Sequence, residues 1–396
     1  MKLLVATEFP PNASGGGPAV VRQMLKDWPA ENLFWWSCLP ETDGRFGQRV
    51  REHRCAAIPS KFYPQRKFTA LKSALLENVW SPWAEKHLRR TLCELRPDAV
   101  WVIPHNWSIP PLHAAVTGTK SPCHVSLHDY VDVHDNPRRF GAARCARLAW
   151  QADALYAGAA TADAISQEMA DDLQQRTGKA AAAIIRFGVE SAELDALAAT
   201  ASTAPLNEIR IAYAGSILVE QEFALFVAAL RRLREVNRRP IRLRFFGANA
   251  FAAAPWFDPA WMSVIGNLPE AELRAELRQC HWGFSPMALA DADPRYNRFS
   301  FPTKFIAYLA AGLPVITLGH PESSVMKMAA RYDVGCSTSA ADVATLAAQL
   351  QSALAVAAPA ERHGPEIIRC ARVEFDAAAM RGKLYECFRQ AAAQRP

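Results

Sequence analysis

The sequence predicts an α/β protein of two domains, each a parallel sheet wrapped on both faces by helices. Three observations carry that expectation. Short apolar runs alternate with helical stretches along the 396-residue chain. The alternation stops once, in an Ala-, Ser- and Thr-rich segment near the middle, and then restarts. Half of the residues are apolar, enough to fill two cores at a length that favours two domains over one.

Taken in order, KLLVAT is the first strand, and GGGPAVVRQMLKDW is a glycine-rich turn running into a helix. LFWWSCL, DAVWVIP and CHVSLHD are three further strands, rich in apolar residues as strands buried on both faces must be. Ala142 to Thr177 reads as an Ala-rich helical region, and AAIIRFG as a short strand. This first domain covers residues 1–190, and residues 191–208 read as a linker. The second domain, 209–365, starts with the strand IRIAYAG, the helix FALFVAALRRLREV and the strand IRLRFFG. MSVIG and HWGFSPM are strands on either side of the helix EAELRAELRQC. VGCST and the helix ADVATLAAQLQSALA close the series, and residues 366–396 read as one helix that can cross back to the first domain.

The net charge of +6 suits an anionic ligand or an acidic membrane surface, but it is too scattered to indicate nucleic acid. The nine cysteines include no Cys-x-x-Cys pair, so they read as reduced thiols of a cytoplasmic protein and not as a zinc site. No charge-free apolar run reaches the length of a membrane span.

The most informative stretch is FSFPTKFIAYLAAGLPVI, Phe299 to Ile316. It reads as a turn, a helix and a buried strand, with Ser300 as N-cap, Pro302 in the first turn and Gly312 ending the helix. Phe305, Ile306 and Leu309 form its core face. Lys304 then stands in the first turn, where the helix dipole favours an anion and a cation is misplaced unless an anion binds beside it. The alternative is that Lys304 reaches solvent. Ala307 shares the face of Lys304 and leaves room there.

These pieces, in this order, resemble the GT-B glycosyltransferases, specifically the large retaining, nucleotide-sugar-dependent group around glycosyltransferase family 4. FPPNASGGGPAVV, SLHD and IIRFGVE carry the resemblance in the first half; IRIAYAGSI, RLRFFG and FPTKFIAYLAAGLPVI carry it in the second. It implies two doubly wound Rossmann-like domains facing a central cleft, with the acceptor on the N-terminal domain and the donor on the C-terminal one. It implies donor-binding roles for Gly15, Gly16, Gly17, Gly215, Ser216, Asp293, Arg295, Ser300, Pro302, Thr303, Lys304 and Ala307. It places His128 and Asp129 near the transferred sugar, so that the catalytic candidates are His128, Asp129 and Lys304. The glycine run also reads as a plain tight turn, and Asp291, Asp293 and Arg295 also read as a solvated loop. Two departures stand out. The family's paired glutamates fall at Phe299 and Ala307, and its basic pair falls near Ser216 and Gln221; all four are absent.

The resemblance therefore implies transfer of a sugar from a nucleotide-diphosphate sugar to an acceptor hydroxyl, with retention, in glycan, polysaccharide or glycolipid synthesis. The donor is a substrate, and neither a cofactor nor a metal is implied. The acceptor is a glycan, a lipid-linked molecule or a small molecule. The alternative is a relative that binds a nucleotide sugar or glycan without transfer. From Lys61 to Arg90, basic residues interleave with Phe62, Phe68, Trp80 and Trp83. That mixture suits the inner face of an anionic membrane, but Pro64 and Pro82 interrupt it and no clean amphipathic period is visible, so helices packed on the first domain are the plainer reading.

Overall fold

The computed structural model describes every residue except 14–15, 42–46, 63–66, 120, 128–135, 200–202, 248–250, 291–293 and 395–396, and leaves out the side chains of 198, 199, 294 and 296. It divides into two compact units. The first comprises Met1–Phe187 with Ala379–Pro396, and the second Gly188–Ala378.

The first unit is built on a wholly parallel sheet of order β3-β2-β1-β4-β5-β6-β7. Its strands are β1 (Leu3–Thr7), β2 (Leu33–Ser37), β3 (Glu52–Cys55), β4 (Ala99–Ile103), β5 (Cys123–Leu127), β6 (Thr161–Ala164) and β7 (Ala183–Ile184). Every residue of β1, β2, β4 and β5 is buried, which is why these four are apolar runs.

Two strands depart from the expected pattern. β3 is a half-exposed strand of sequence EHRC at the sheet edge. β6 lies inside the stretch that reads as helical; the helix Ala142–Gly158 ends, Thr-Ala-Asp-Ala forms a buried strand, and Ser166 caps the helix Gln167–Thr177. β6 is polar because it completes a buried network. Asp163 Oδ2 lies 2.9 Å from His124 Nε2 and accepts from Ser126 Oγ at 2.7 Å. Ser126 Oγ in turn accepts from Trp101 Nε1 at 2.7 Å, and His124 Nδ1 lies 2.9 Å from Thr161 Oγ1. His124, Ser126, Trp101 and Thr161 are thus each held by another member of the network, the condition for burying them, while Asp163 Oδ1 is buried with no hydrogen-bond partner among the described residues.

The chain end supplies the rest of that core. The stretch expected to be one helix is two, Pro359–Phe375 and Ala377–Ala393, broken at Asp376. At the break the Val189 amide donates to the Phe375 carbonyl at 2.6 Å, and the Ala377 amide donates to the Val189 carbonyl at 3.0 Å. Gly188 permits this approach, since a Cβ there would lie 2.7 Å from Ala377 Cα. Met380, Leu384 and Phe388 then join Leu3, Val5, Trp35 and Trp101 in one cluster. Phe388 lies 5.4 Å from both the Trp101 and His124 rings, and Thr161 Oγ1 donates to the Cys387 carbonyl at 3.0 Å.

The second unit repeats the plan with order β10-β9-β8-β11-β12-β13. Its strands are β8 (Ile209–Ala214), β9 (Ile241–Phe246), β10 (Met262–Gly266), β11 (Trp282–Pro286), β12 (Val315–Leu318) and β13 (Gly335–Thr338). Tyr213, Phe223, Phe226, Phe245 and Phe284 form its aromatic centre, with Phe226 stacked on Phe284 at 3.6 Å. The expected linker at 191–208 is largely not one. Ser191–Ala199 is a helix of this unit: Leu194 and Leu197 are buried, and Glu193 and Asp195 pair with Arg274 and Arg372 at 2.7 and 2.8 Å. The crossing between units falls at 187/188 instead.

Phe388→Ala removes a ring from the closed core of the first unit. It is expected to destabilise that unit by about 3–5 kcal/mol, measured as a lowered guanidinium midpoint; an unchanged midpoint would show that the terminal helix is not part of the core.

Candidate functional site

In each unit the first strand lies centrally and the chain winds away from it in both directions. The crevice outside the carboxyl ends of the central pair is where such sheets bind ligands. In the second unit that pair is β8 and β11, and the residues around it are closely tied.

Tyr308, on the helix Thr303–Ala310, joins the two strands. Its hydroxyl accepts from the Ala214 amide at 2.9 Å and donates to the Phe284 carbonyl at 3.1 Å. The ring packs against Gly283, where a Cβ would lie 2.5 Å from it. Burial holds the phenol well above its ordinary pKa, so it stays a neutral donor. The segment after β11 is pinned on both sides: Glu222 Oε1 accepts from the Leu289 amide at 2.8 Å, and Asn297 Nδ2 donates to the Ala290 carbonyl at 3.1 Å.

Lys304 sits in the first turn of the Thr303–Ala310 helix and reaches the end of β8. Its ammonium donates to Tyr213 Oη at 2.8 Å and to the Ser216 carbonyl at 3.2 Å, and lies 4.2 Å from the Tyr213 ring centroid. Tyr213 Oη also donates to the Ser216 carbonyl at 2.9 Å. Two neutral dipoles and one ring face thus hold the cation, with no carboxylate among these partners. Burial pushes the ammonium down to about 8 from its usual 10.5. Among the described residues no carboxylate pairs with this ammonium, which stands in the first turn of a helix, where the backbone dipole favours an anion. A cavity of about 470 Å³ adjoins it, lined by Ser216, Ile217, Glu220, Phe251 and Trp256 among others.

Of the residues singled out from the sequence, the structure brings together Gly215, Ser216 and Lys304. Gly215 has φ 83°, the left-handed region that favours glycine, and its amide donates to the Phe246 carbonyl at 2.7 Å. Pro302 is the N-cap residue and Thr303 opens the helix, exposed. Ala307, half-buried, is one turn on from Lys304. Ser300 does not cap this helix; it is buried one residue before Phe301, and its carbonyl accepts from Ser324 Oγ. The cap moves to Pro302 because Pro294–Phe299 is itself a helix, where a loop was expected, and the turn between the two helices is short. Arg295 lies on that short helix. Asp291 and Asp293 lie outside the described residues.

In the first unit the central pair is β1 and β4. Gly16 and Gly17 open the helix Gly16–Met24 after β1, and a Cβ on either would meet no described atom within 4 Å. The fold itself therefore does not demand glycine there. Gly15, His128 and Asp129 lie outside the described residues; His128 directly follows β5.

Sequence reading missed Tyr213 and Tyr308, which alternate with or follow core residues and carry no mark of a site. It also missed Glu8 and Asn106, at the carboxyl ends of β1 and β4. Asn106 has φ 41°, and its Nδ2 donates to Glu8 Oε2 at 3.1 Å. A non-glycine residue in that conformation is uncommon, asparagine being among the readiest to adopt it, and it is invisible in sequence; Glu8, the first charge after the strand, was visible.

No family model matches the chain, and no curated protein matches it. Solved structures do. Sucrose-phosphate synthase from Thermosynechococcus elongatus superposes with a TM-score of 0.72 at 15% identity, over 100% of both chains. An α,α-trehalose-phosphate synthase (UDP-forming) from Burkholderia xenovorans, in complex with glucose-6-phosphate, gives 0.67 at 13% identity, over 98% of this chain and 100% of that one. A lipopolysaccharide outer core galactosyltransferase gives 0.60 at 12% identity, over 98% and 99%. With its two parallel sheets of seven and six strands, the chain has the GT-B fold that the resemblance implied.

Gly283→Ala is expected to cost about 1–3 kcal/mol by overpacking against Tyr308, read as a fall in melting temperature; an unchanged melting temperature would refute the contact. The Lys304 geometry sets a pH dependence. Between pH 8 and 10.5 the unfolded chain keeps a proton that the folded chain has released. Wild-type stability relative to Lys304→Met should therefore rise across that window. Denaturation midpoints of both proteins against pH check this, and parallel curves would show that Lys304 is not desolvated.

Proposed function

We propose that this GT-B chain is a glycosyltransferase that moves a sugar from a nucleotide diphosphate to an acceptor hydroxyl, with retention. The observation that carries the proposal is the Lys304 ammonium, held by Tyr213 and the Ser216 carbonyl with no acid among those partners, at the start of a helix. A diphosphate supplies the missing negative charge. As the bond from the anomeric carbon to the phosphate oxygen breaks, charge grows on the leaving group, and a lysine already in place there stabilises the transition state more than the ground state. The acceptor oxygen forms the new bond, and its proton leaves with a base or with the departing phosphate. First-turn amides and Thr303 serve as further donors. Arg295 and Asp293 are proposed as phosphate and sugar contacts, and His128 with Asp129 as the pair beside the transferred sugar.

The first donors to test are UDP-hexoses, because a solved relative in fold is a UDP-forming synthase. Sugar phosphates, glycans and lipid-linked sugars are the acceptor classes to screen.

A second reading is favoured by one specific observation. Phe299 is buried and Ala307 is small, so neither of the family's glutamates is present on this turn. A protein that binds a nucleotide sugar without transferring it fits that loss.

Lys304→Ala is expected to keep the fold and to lower donor turnover about a hundredfold, the scale of losing one preorganised contact. It should weaken UDP more than UMP in calorimetric titration, and wild-type UDP affinity should fall above pH 8 as the ammonium loses its proton. Wild-type binding without donor hydrolysis or transfer selects the second reading. Equal UDP affinity in wild type and variant would remove Lys304 from the site.

A further inference from the structure

The stretch from Lys61 to Arg90, whose sequence shows no clean amphipathic period, has one in three dimensions. Thr69–Leu75, the single π turn Leu76–Trp80 and Ser81–Leu95 run on with helical backbone throughout, Pro82 falling in the first turn of the last piece. The π turn adds a residue and resets the phase, which hides the period from a sequence count. The inner face carries Leu76, Trp80, Ala84 and Leu88, all buried. Trp80 and Trp36 fix it, by indole donation to the Ala56 carbonyl and to His87 Nδ1.

The outer face is also apolar. Phe68 is 75% exposed, Leu71 61%, Val79 59% and Trp83 50%. A helix that buries one apolar stripe normally turns polar residues to water, and a row of large apolar side chains at helical spacing marks a contact surface. Among the described residues, the charges around the row that lack an ion-pair partner are basic. Lys61, Lys67 and Lys86 are exposed with no carboxylate partner among the described residues, whereas Arg90, further along the helix, pairs with Glu94 at 2.6 Å. The nearby acids are already engaged: Glu77 pairs with Arg144 and Arg147 at 2.6 and 2.8 Å, and Glu85 with Arg89 at 2.8 Å.

We propose that this helix face docks the first unit on an anionic phospholipid bilayer, with Phe68, Leu71, Val79 and Trp83 entering the headgroup boundary and the lysines meeting lipid phosphates. Two features select a bilayer over a second copy of the chain. One row of side chains on a convex helix is far smaller than the ~800 Å² per partner of a stable interface. A two-fold contact would also set the lysines of one copy against those of the other. Among the described residues no single helix is long and apolar enough to cross a membrane, so the contact is peripheral.

The test is flotation of the full chain with phosphatidylcholine vesicles, with and without phosphatidylglycerol, at low and high salt. The expected result is binding to the anionic vesicles, weakened by salt. Lys67→Glu/Lys86→Glu should weaken it at least tenfold. Phe68→Ser/Leu71→Ser/Trp83→Ser should abolish it, with circular dichroism and donor hydrolysis unchanged. Should the triple variant misfold, the charge variant alone decides. No flotation with anionic vesicles, or flotation that the charge reversal leaves intact, overturns the proposal. So does a wild-type dimer in sedimentation that the apolar variant dissociates, since the face then belongs to a second copy.

Discussion

A parallel β-strand is covered on both faces, and the other features of this chain answer to that requirement. Each unit must find helices for two sides of its sheet, so the chain winds one way from the central strand and then the other. Where the direction reverses, the connections part and leave a crevice. The second unit fills the base of its crevice with Tyr308 against Gly283 and sets Lys304 at the rim. The first unit recruits the end of the chain, so that Met380, Leu384 and Phe388 cover what its own 187 opening residues leave bare.

The crevice of the second unit trades stability for a charge. A lysine among neutral dipoles is less protonated than one in water, and the fold bears that penalty. Tyr213 makes the position possible, because it offers both a ring face and an oxygen to the ammonium while its own proton goes to the Ser216 carbonyl. The first unit likewise sets a polar pair at its crevice, with Asn106 in a left-handed conformation beside the buried Glu8.

Burial on both faces also decides what was legible in the sequence. β1, β2, β4, β8, β9 and β11 were read directly, since strands shielded on both sides carry apolar runs or a near-continuous one. β6 was not, because its Asp163 serves a buried network whose partners come from β4 and β5 and are distant in sequence. β3 was not, because an edge strand of Glu-His-Arg-Cys has no apolar run. The helix at 191–199 passed for a linker because its buried leucines are only two, and its ion pairs reach Arg274 and Arg372 far along the chain. At the site, Lys304 was legible as a cation in the wrong electrostatic place. Tyr213 and Tyr308 were not, since an aromatic in a strand or on a core face reads as packing until its hydroxyl is seen to have work. The cap at Ser300 failed because a second short helix precedes it and takes up the turn.

The first unit is discontinuous in sequence, and this gives the chain an order of assembly. As the ribosome makes it, the strands of the first unit emerge early, but the helix that seals their core appears only after the whole of the second unit. The intervening second unit, Gly188–Ala378, is complete before then. At ~5–20 residues per second, the roughly 190 residues between the two parts of the first unit take about 10–40 s to synthesise. For that interval Trp101 and the His124 face of the sheet await Phe388, an apolar surface open to chaperones and to other nascent chains. A premature stop shortly before residue 379 would therefore release a finished second unit attached to an unsealed first one.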